Sequence, residues 1–201
     1  NAAQANWDDM DISALKGGGG YDLYAVGTKT GANGGVCYKS TDSGATWNPI
    51  TNPQTGAVPS AINVACSKID ANILYILDTA VSPGGIYKST NGGTSWSSIA
   101  AGFPNGGSNY NWSQRTYDYH ISCGKNGVQD AVFVGLISVA YSPNGGGSWI
   151  DVGNTFNGAG GGVINTHNDQ HCFAVNPVTT NEFIIGNDGG VHKLVMTNMT
   201  T

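Results

Sequence analysis

What this sequence has least of is charge. Only 10% of its 201 residues are Asp, Glu, Lys or Arg, with one arginine, Arg115, and one glutamate, Glu182. An ordinary soluble domain carries roughly a quarter. Lysines and arginines are too few and too scattered to displace the counterions of a nucleic acid, and the net charge is −5, so no nucleic-acid partner is expected. No apolar run approaches the roughly 20 residues that cross a bilayer as a helix, so no membrane span is expected. A signal-peptide apolar segment is missing too, which suits a mature or trimmed product. The four cysteines, Cys37, Cys66, Cys123 and Cys172, form no Cys-x-x-Cys pair; a zinc site of the usual spacing is not expected, and no metal ligand set or cofactor is assigned. Their even number permits two disulfides, while their apolar, strand-like neighbours suit buried thiols equally well. Amphipathic helical segments are hard to find. With 31 glycines and many β-branched residues, helices are disfavoured and short strands joined by tight turns are expected.

What is present is a repeat. Residues 34–50 read GGVCYKSTDSGATWNPI, residues 84–99 GGIYKSTNGGTSWSSI, and residues 138–152 SVAYSPNGGGSWIDV. Ser40, Ser89 and Ser142 correspond, as do Trp47, Trp96 and Trp149, in steps of 49 and 53 residues. A fourth copy begins at Gly189 as GGVHKL. Each period also holds two earlier strand-like runs: MDISAL and YDLYAVGT, AINVACS and ILYILD, YHISC and AVFVGLI, HCFAV and EFIIG. A period near fifty residues with four short strands predicts an all-β fold, a β-propeller of four-stranded antiparallel blades. The predicted blades run over about 10–50, 58–100, 117–153 and 167–201, the last lacking its outer strand. They form a single propeller or a lobe of a larger one. Residues 5–10, with Asn6-Trp7-Asp8-Asp9-Met10 resembling Ser148-Trp149-Ile150-Asp151-Val152, are expected to be an outer strand able to close the last blade.

The turn Ser40-x-Asp42-x-Gly44-x-x-Trp47 has a local logic. A short carboxylate or amide folds onto backbone N–H groups, and glycine takes a conformation closed to other residues. In the second copy the set is Ser89, Asn91, Gly93 and Trp96; in the third it is Ser142, Asn144, Gly146 and Trp149. These are structural positions, with each Trp expected between neighbouring sheets.

The turns, together with YDYHI, VFVGLISVAYSPNGGGSW, THNDQHCFAVNP and FIIGNDGGVHKL, resemble the Asp-box, or BNR-repeat, propellers. That group includes secreted bacterial repeat proteins, xyloglucanase-type glycoside hydrolases and sortilin-type receptors. The resemblance specifies fold strongly and function weakly. A sialidase, which shares the turn, needs three arginines for its substrate carboxylate, and this chain has one. A sortilin-type receptor implies ten blades and a Cys-rich module, neither of which is present. A xyloglucanase-type enzyme implies two catalytic aspartates. Asp188, in an Asn187-Asp188-Gly189-Gly190 turn, matches one, and Asp118 and Asp169 are candidates for the other.

Two lead-ins to inner strands carry three of the four histidines. Propeller topology places His167, Asp169 and His171 beside Asp188 on one end of the fourth blade, with Tyr117, Asp118 and His120 at the equivalent place of the third. Imidazoles and carboxylates there suit a divalent metal, a sugar or a proton; otherwise they satisfy one another at a crowded channel mouth. Tyr110 and Trp112, in the irregular stretch 103–119, are candidate stacking faces for a glycan. The expectation is a non-enzymatic extracellular module binding a glycan or protein partner. The alternatives are a carbohydrate-active hydrolase, or a fragment of one, and a structural subunit that self-associates through its incomplete blade. An acidic, Asn/Thr/Gly-rich surface suits a secreted protein.

Overall fold

A computed structural model describes residues 5–29, 35–53, 61–79, 85–104, 114, 116–153, 166–176, 178–179 and 182–195. They form fifteen strands and no helix longer than a turn. The strands make three four-stranded sheets and one three-stranded sheet, each a simple antiparallel meander. The chain divides into two compact units, residues 1–99 and 100–201.

The first unit holds two sheets. One consists of β1 (Ala5–Ile12), β2 (Leu23–Lys29), β3 (Gly35–Ser40) and β4 (Asn48–Ile50); the other of β5 (Ile62–Cys66), β6 (Leu74–Asp78), β7 (Ile86–Ser89) and β8 (Ser97–Ser98). Both β5 and β6 are buried along their whole length, which is why they read as continuous apolar runs rather than alternating ones. Tyr24, Val26 and Cys37 of the first sheet pack against Ile62, Val64, Cys66, Leu74 and Ile76 of the second. Burying each large aliphatic of such a layer contributes on the order of 1.5–3 kcal/mol.

Residues 5–10 depart from expectation. They lie in β1, continuous with Asp11 and Ile12, and pair with β2 from Asn6 opposite Thr28 to Met10 opposite Ala25. They are the first strand of the first sheet, not an outer strand. The likeness to residues 148–152 rested on one Trp and its acidic neighbours. Pairing length decides the matter: β1 finds seven partners along β2, whereas the outer strands β4, β8 and β12 pair over only two or three residues. A bulge between Trp7 and Asp9 turns neighbouring aspartates toward β5. Asp9 Oδ2 accepts from Val64 N–H at 3.0 Å and Asp11 Oδ2 from Cys66 N–H at 2.7 Å, while Asp8 accepts from the Ile62 backbone.

The second unit holds β9 (His120–Asn126), β10 (Gln129–Gly135), β11 (Val139–Ser142) and β12 (Ile150–Asp151) in one sheet. Its other sheet comprises β13 (Gln170–Val175), β14 (Glu182–Asn187) and β15 (Gly190–Val195). Phe133, fully buried, is the hub of its core. Its ring lies 4.2 Å from that of Phe183, 4.8 Å from Tyr141 and 6.0 Å from Phe173.

The three repeat turns share one hydrogen-bond pattern. Ser40, Ser89 and Ser142 Oγ accept from the N–H of Gly44, Gly93 and Gly146 at 2.9, 2.9 and 2.7 Å. Asp42, Asn91 and Asn144 Oδ1 accept from the N–H of residues 46, 95 and 148 at 2.8, 2.9 and 2.8 Å. Gly44, Gly93 and Gly146 sit at φ 89°, 86° and 91°, where a side chain would be strained. These bonds, the Thr46 hydroxyl first, hold the Asp42 carboxyl down at about 2. Trp96 bridges to the neighbouring sheet, donating from Nε1 to Thr51 O at 2.8 Å. Trp149 lies edge-on to Phe103, 5.2 Å away. None of the four cysteines is in a disulfide; Cys37, Cys66 and Cys123 are buried and Cys172 is exposed. Burial pushes the Cys37 thiol up to about 12.

Candidate functional site

The second unit gathers the lead-ins to β9 and β13 and the β14–β15 turn at one end of its sheets. Three devices fix them. A turn ahead of β9 is closed by Tyr117 N–H and Asp118 N–H, both donating to Gln114 O, at 2.7 and 3.2 Å. The lead-in to β13 docks on the chain leaving β10, with Asp169 N–H donating to Ile137 O at 3.0 Å and Gln170 N–H to Leu136 O at 2.9 Å. Between them lies a buried polar frame. Gln170 Nε2 donates to Ile137 O at 3.1 Å and His167 O at 2.7 Å, and Asn187 Nδ2 donates to Thr166 Oγ1 at 2.6 Å and Gln170 Oε1 at 3.3 Å. Asn187 Oδ1 in turn accepts from Gly189 N–H at 3.1 Å, closing the turn that carries Asp188.

A register shift between Gln170 and Cys172 leaves His171 as the extra residue of β13. Such a bulge re-aims a side chain, and His171 reaches Asp188: its Nε2 lies 2.7 Å from Oδ1. The Tyr117 hydroxyl donates to both carboxylate oxygens of Asp188, at 2.9 and 3.0 Å. Tyr117 and His171 meet edge to face with centroids 4.9 Å apart. Tyr117 remains 54% exposed. His171 and Tyr117 together hold the Asp188 carboxyl below the usual carboxylate range. Asp188 is therefore an ionised, oriented acceptor at neutral pH.

Asp118, the next residue after Tyr117, is 1% exposed. Burial, with Asp169 adding like charge, pushes its carboxyl up to about 7. Asp169 takes a left-handed backbone, φ 62°, at the head of β13.

Of the candidate residues, Tyr117, His171 and Asp188 converge directly, with Asp118 and Asp169 beside one another. His167 is exposed; its Nδ1 lies 3.3 Å from Asn168 O, and its ring blocks any side chain at Gly189. His120 stacks on Phe173 at 5.6 Å, on the apolar side of β9. Tyr110 and Trp112 lie outside the described residues. Sequence reasoning missed Thr166, Gln170 and Asn187. Their only signal was polar residues bracketing strands that otherwise read as apolar. Among the described residues no group of three or more His, Cys, Asp or Glu is gathered to hold a metal, and no helix is long and apolar enough to cross a membrane.

No protein-family description matches this chain, and no curated protein does. Solved structures do. YCF48 from Cyanidioschyzon merolae superposes with a TM-score of 0.51 at 14% identity, over 99% of this chain and 59% of its own. The GH74 enzyme of Niastella koreensis superposes with a TM-score of 0.61 at 18% identity, over 94% of this chain and 28% of its own. The chain thus spans about three fifths of the one and about a quarter of the other. Both neighbours are β-propellers, and at these identities the likeness speaks to fold alone: four sheets of β-propeller architecture, the last three-stranded.

Proposed function

We propose that this chain is an extracellular β-propeller binding module that holds a hydroxyl-rich ligand, a glycan, at Tyr117, His171 and Asp188 without cleaving it. The observation carrying this reading is the exposed Tyr117 ring tied through its hydroxyl to a carboxylate that His171 also fixes. An aromatic face beside an oriented, ionised acceptor suits a sugar: the ring covers C–H groups, and the carboxylate accepts from hydroxyls. Rigid groups lose little entropy on binding. The repeat turns fit an Asp-box assignment and serve the scaffold rather than the ligand.

One observation favours hydrolysis instead. Asp118 is raised to about 7 while Asp188 is lowered, the divergence expected of an acid and its ionised partner. Burial of Asp118 argues against it, since a general acid must reach the glycosidic oxygen. Calorimetry with soluble β-glucan oligosaccharides, paired with a reducing-sugar assay, decides. Binding weakened at least about tenfold by Tyr117→Ala and by Asp188→Ala, with no sugar released, supports a module. Release of reducing ends that disappears in Asp188→Ala establishes a hydrolase. Absence of any glycan binding removes the ligand class and leaves a protein partner.

A further inference from the structure

The second repeat turn joins the two sheets of the first unit by lying on the first sheet. A Cβ at Gly92 would come 3.3 Å from Lys39 Nζ and 3.6 Å from the Tyr24 hydroxyl, and one at Gly93 would strike Ile50 Cδ1. The Thr51 hydroxyl reaches Gly93 O and Thr94 O at 2.5 and 2.9 Å, and Trp96 Nε1 donates to Thr51 O. Beneath the turn Lys39, opposite Tyr24 in the ladder, pairs with Asp22 at 2.8 Å. The first sheet thus has a leading face, marked by an acid, a large side chain two residues on and a lysine opposite. The second has a trailing face, from which its repeat turn and Trp reach back.

Two such faces are uncovered among the described residues. Trp7, Met10, Ile12 and Ala25 alternate away from Tyr24 and Val26, which face the second sheet. Trp7, Met10 and Trp47 border a hollow of about 550 Å³ on this trailing face, and Met10 is 61% exposed. Trp96 and Trp149 have partners, whereas Trp47 has no hydrogen-bond or ring partner among the described residues. The fourth sheet leaves its leading face open. Glu182 pairs with Lys193 at 2.9 Å, and Lys193 lies opposite Ile184, repeating Asp22, Lys39 and Tyr24. Around them Ala174, Ile184, Val191 and Val195 are exposed, Val191 by 76%.

We propose that a second copy of this chain docks head to tail, its Trp7–Met10–Trp47 face covering the Glu182–Ile184–Lys193 face of the fourth sheet. Both faces follow the pattern that already holds the first two sheets together, so each offers what the other lacks. Docking removes from water the apolar side chains that both expose. Charge favours it too: of the three repeat turns only the first, the one brought to Lys193, carries an acid, Asp42. β15 has no neighbour on its outer side among the described residues, so its carbonyls there are open to the Trp47 N–H. Because the two surfaces differ, copies add into a ring or a chain. The inference stands apart from the glycan reading, since neither face includes Tyr117, His171 or Asp188.

Sedimentation equilibrium of the full chain from about 1 μM to about 500 μM reads the association, a range that reaches weak, transient interfaces. We expect a mass that climbs above that of one chain as concentration rises. Met10→Glu, and separately Val191→Glu with Val195→Glu, alter exposed side chains. Each should keep the native β-sheet circular dichroism and stay monomeric, with Ile12→Glu replacing Met10→Glu should that variant not fold. Mixed, the two variants should form a one-to-one heterodimer, because each retains the face that the other has lost. A wild type monomeric to about 500 μM overturns the proposal without any variant having to fold. Self-association that survives either change overturns it as well, by showing that the altered face is not used. Variants that are monomeric apart and do not combine refute the head-to-tail order.

Discussion

Tyr117 and Asp118 are consecutive residues with opposite surroundings, one half in water and one sealed. That contrast gives the molecule a pH dependence of unusual sign. The Asp118 carboxyl is raised to about 7 in the fold and returns to about 3.9 when unfolded. Its contribution is therefore fully present below about pH 4 and is lost as pH rises through about 7. Urea unfolding should show stability falling by on the order of 2 kcal/mol between about pH 5 and about pH 8. The slope should vanish in Asp118→Asn. Asp188 has the ordinary sign: its bonds to His171 and Tyr117 contribute above the unfolded carboxylate range and fade as acid titrates it. The repeat turns show how much one side chain settles locally. Asp42 accepts from the Thr46 hydroxyl, whereas Asn91 and Asn144 donate their amide to the Ser95 and Ser148 hydroxyls at 2.8 and 3.0 Å. Acid with Thr and amide with Ser thus close the same turn.

Between neighbouring elements, the frame of Thr166, Gln170 and Asn187 turns a sheet end into a site. Gln170 is fully buried and satisfies two carbonyls and one amide at once. Gln170→Ala strands those groups, and the loss should be roughly 1–3 kcal/mol. Chemical denaturation reads that loss, and glycan titration should show weaker binding because His171 is no longer held. This scale also shows what the sequence could disclose. The meeting of His171 with Asp188 was legible, because blade topology puts a first-strand lead-in beside a second-to-third-strand turn whatever the side chains are. The frame beneath was not: a Gln at a strand head has no periodicity to give it away, and its partners lie 17 and 33 residues distant. The role of residues 5–10 was misread for a related reason. A Trp-Asp pattern looks the same on a short outer strand and a long inner one, and only pairing across the hairpin tells them apart.

At the scale of the whole molecule, two units each carry their own core. Phe133 anchors the second through three aromatic neighbours, so Phe133→Ala should cost about 3–5 kcal/mol. Hydrogen exchange should report that loss as faster opening of β9, β10, β13 and β14. The row of aspartates on β1 has a different consequence. The outward N–H groups of Ile62, Val64 and Cys66 are the side of β5 that a stray strand would have to capture, and carboxylates already occupy them. An incoming chain must first displace these half-buried carboxylates to recruit β5 into a fibril. The same side chains that seat one blade on the next thus guard this strand against templated aggregation.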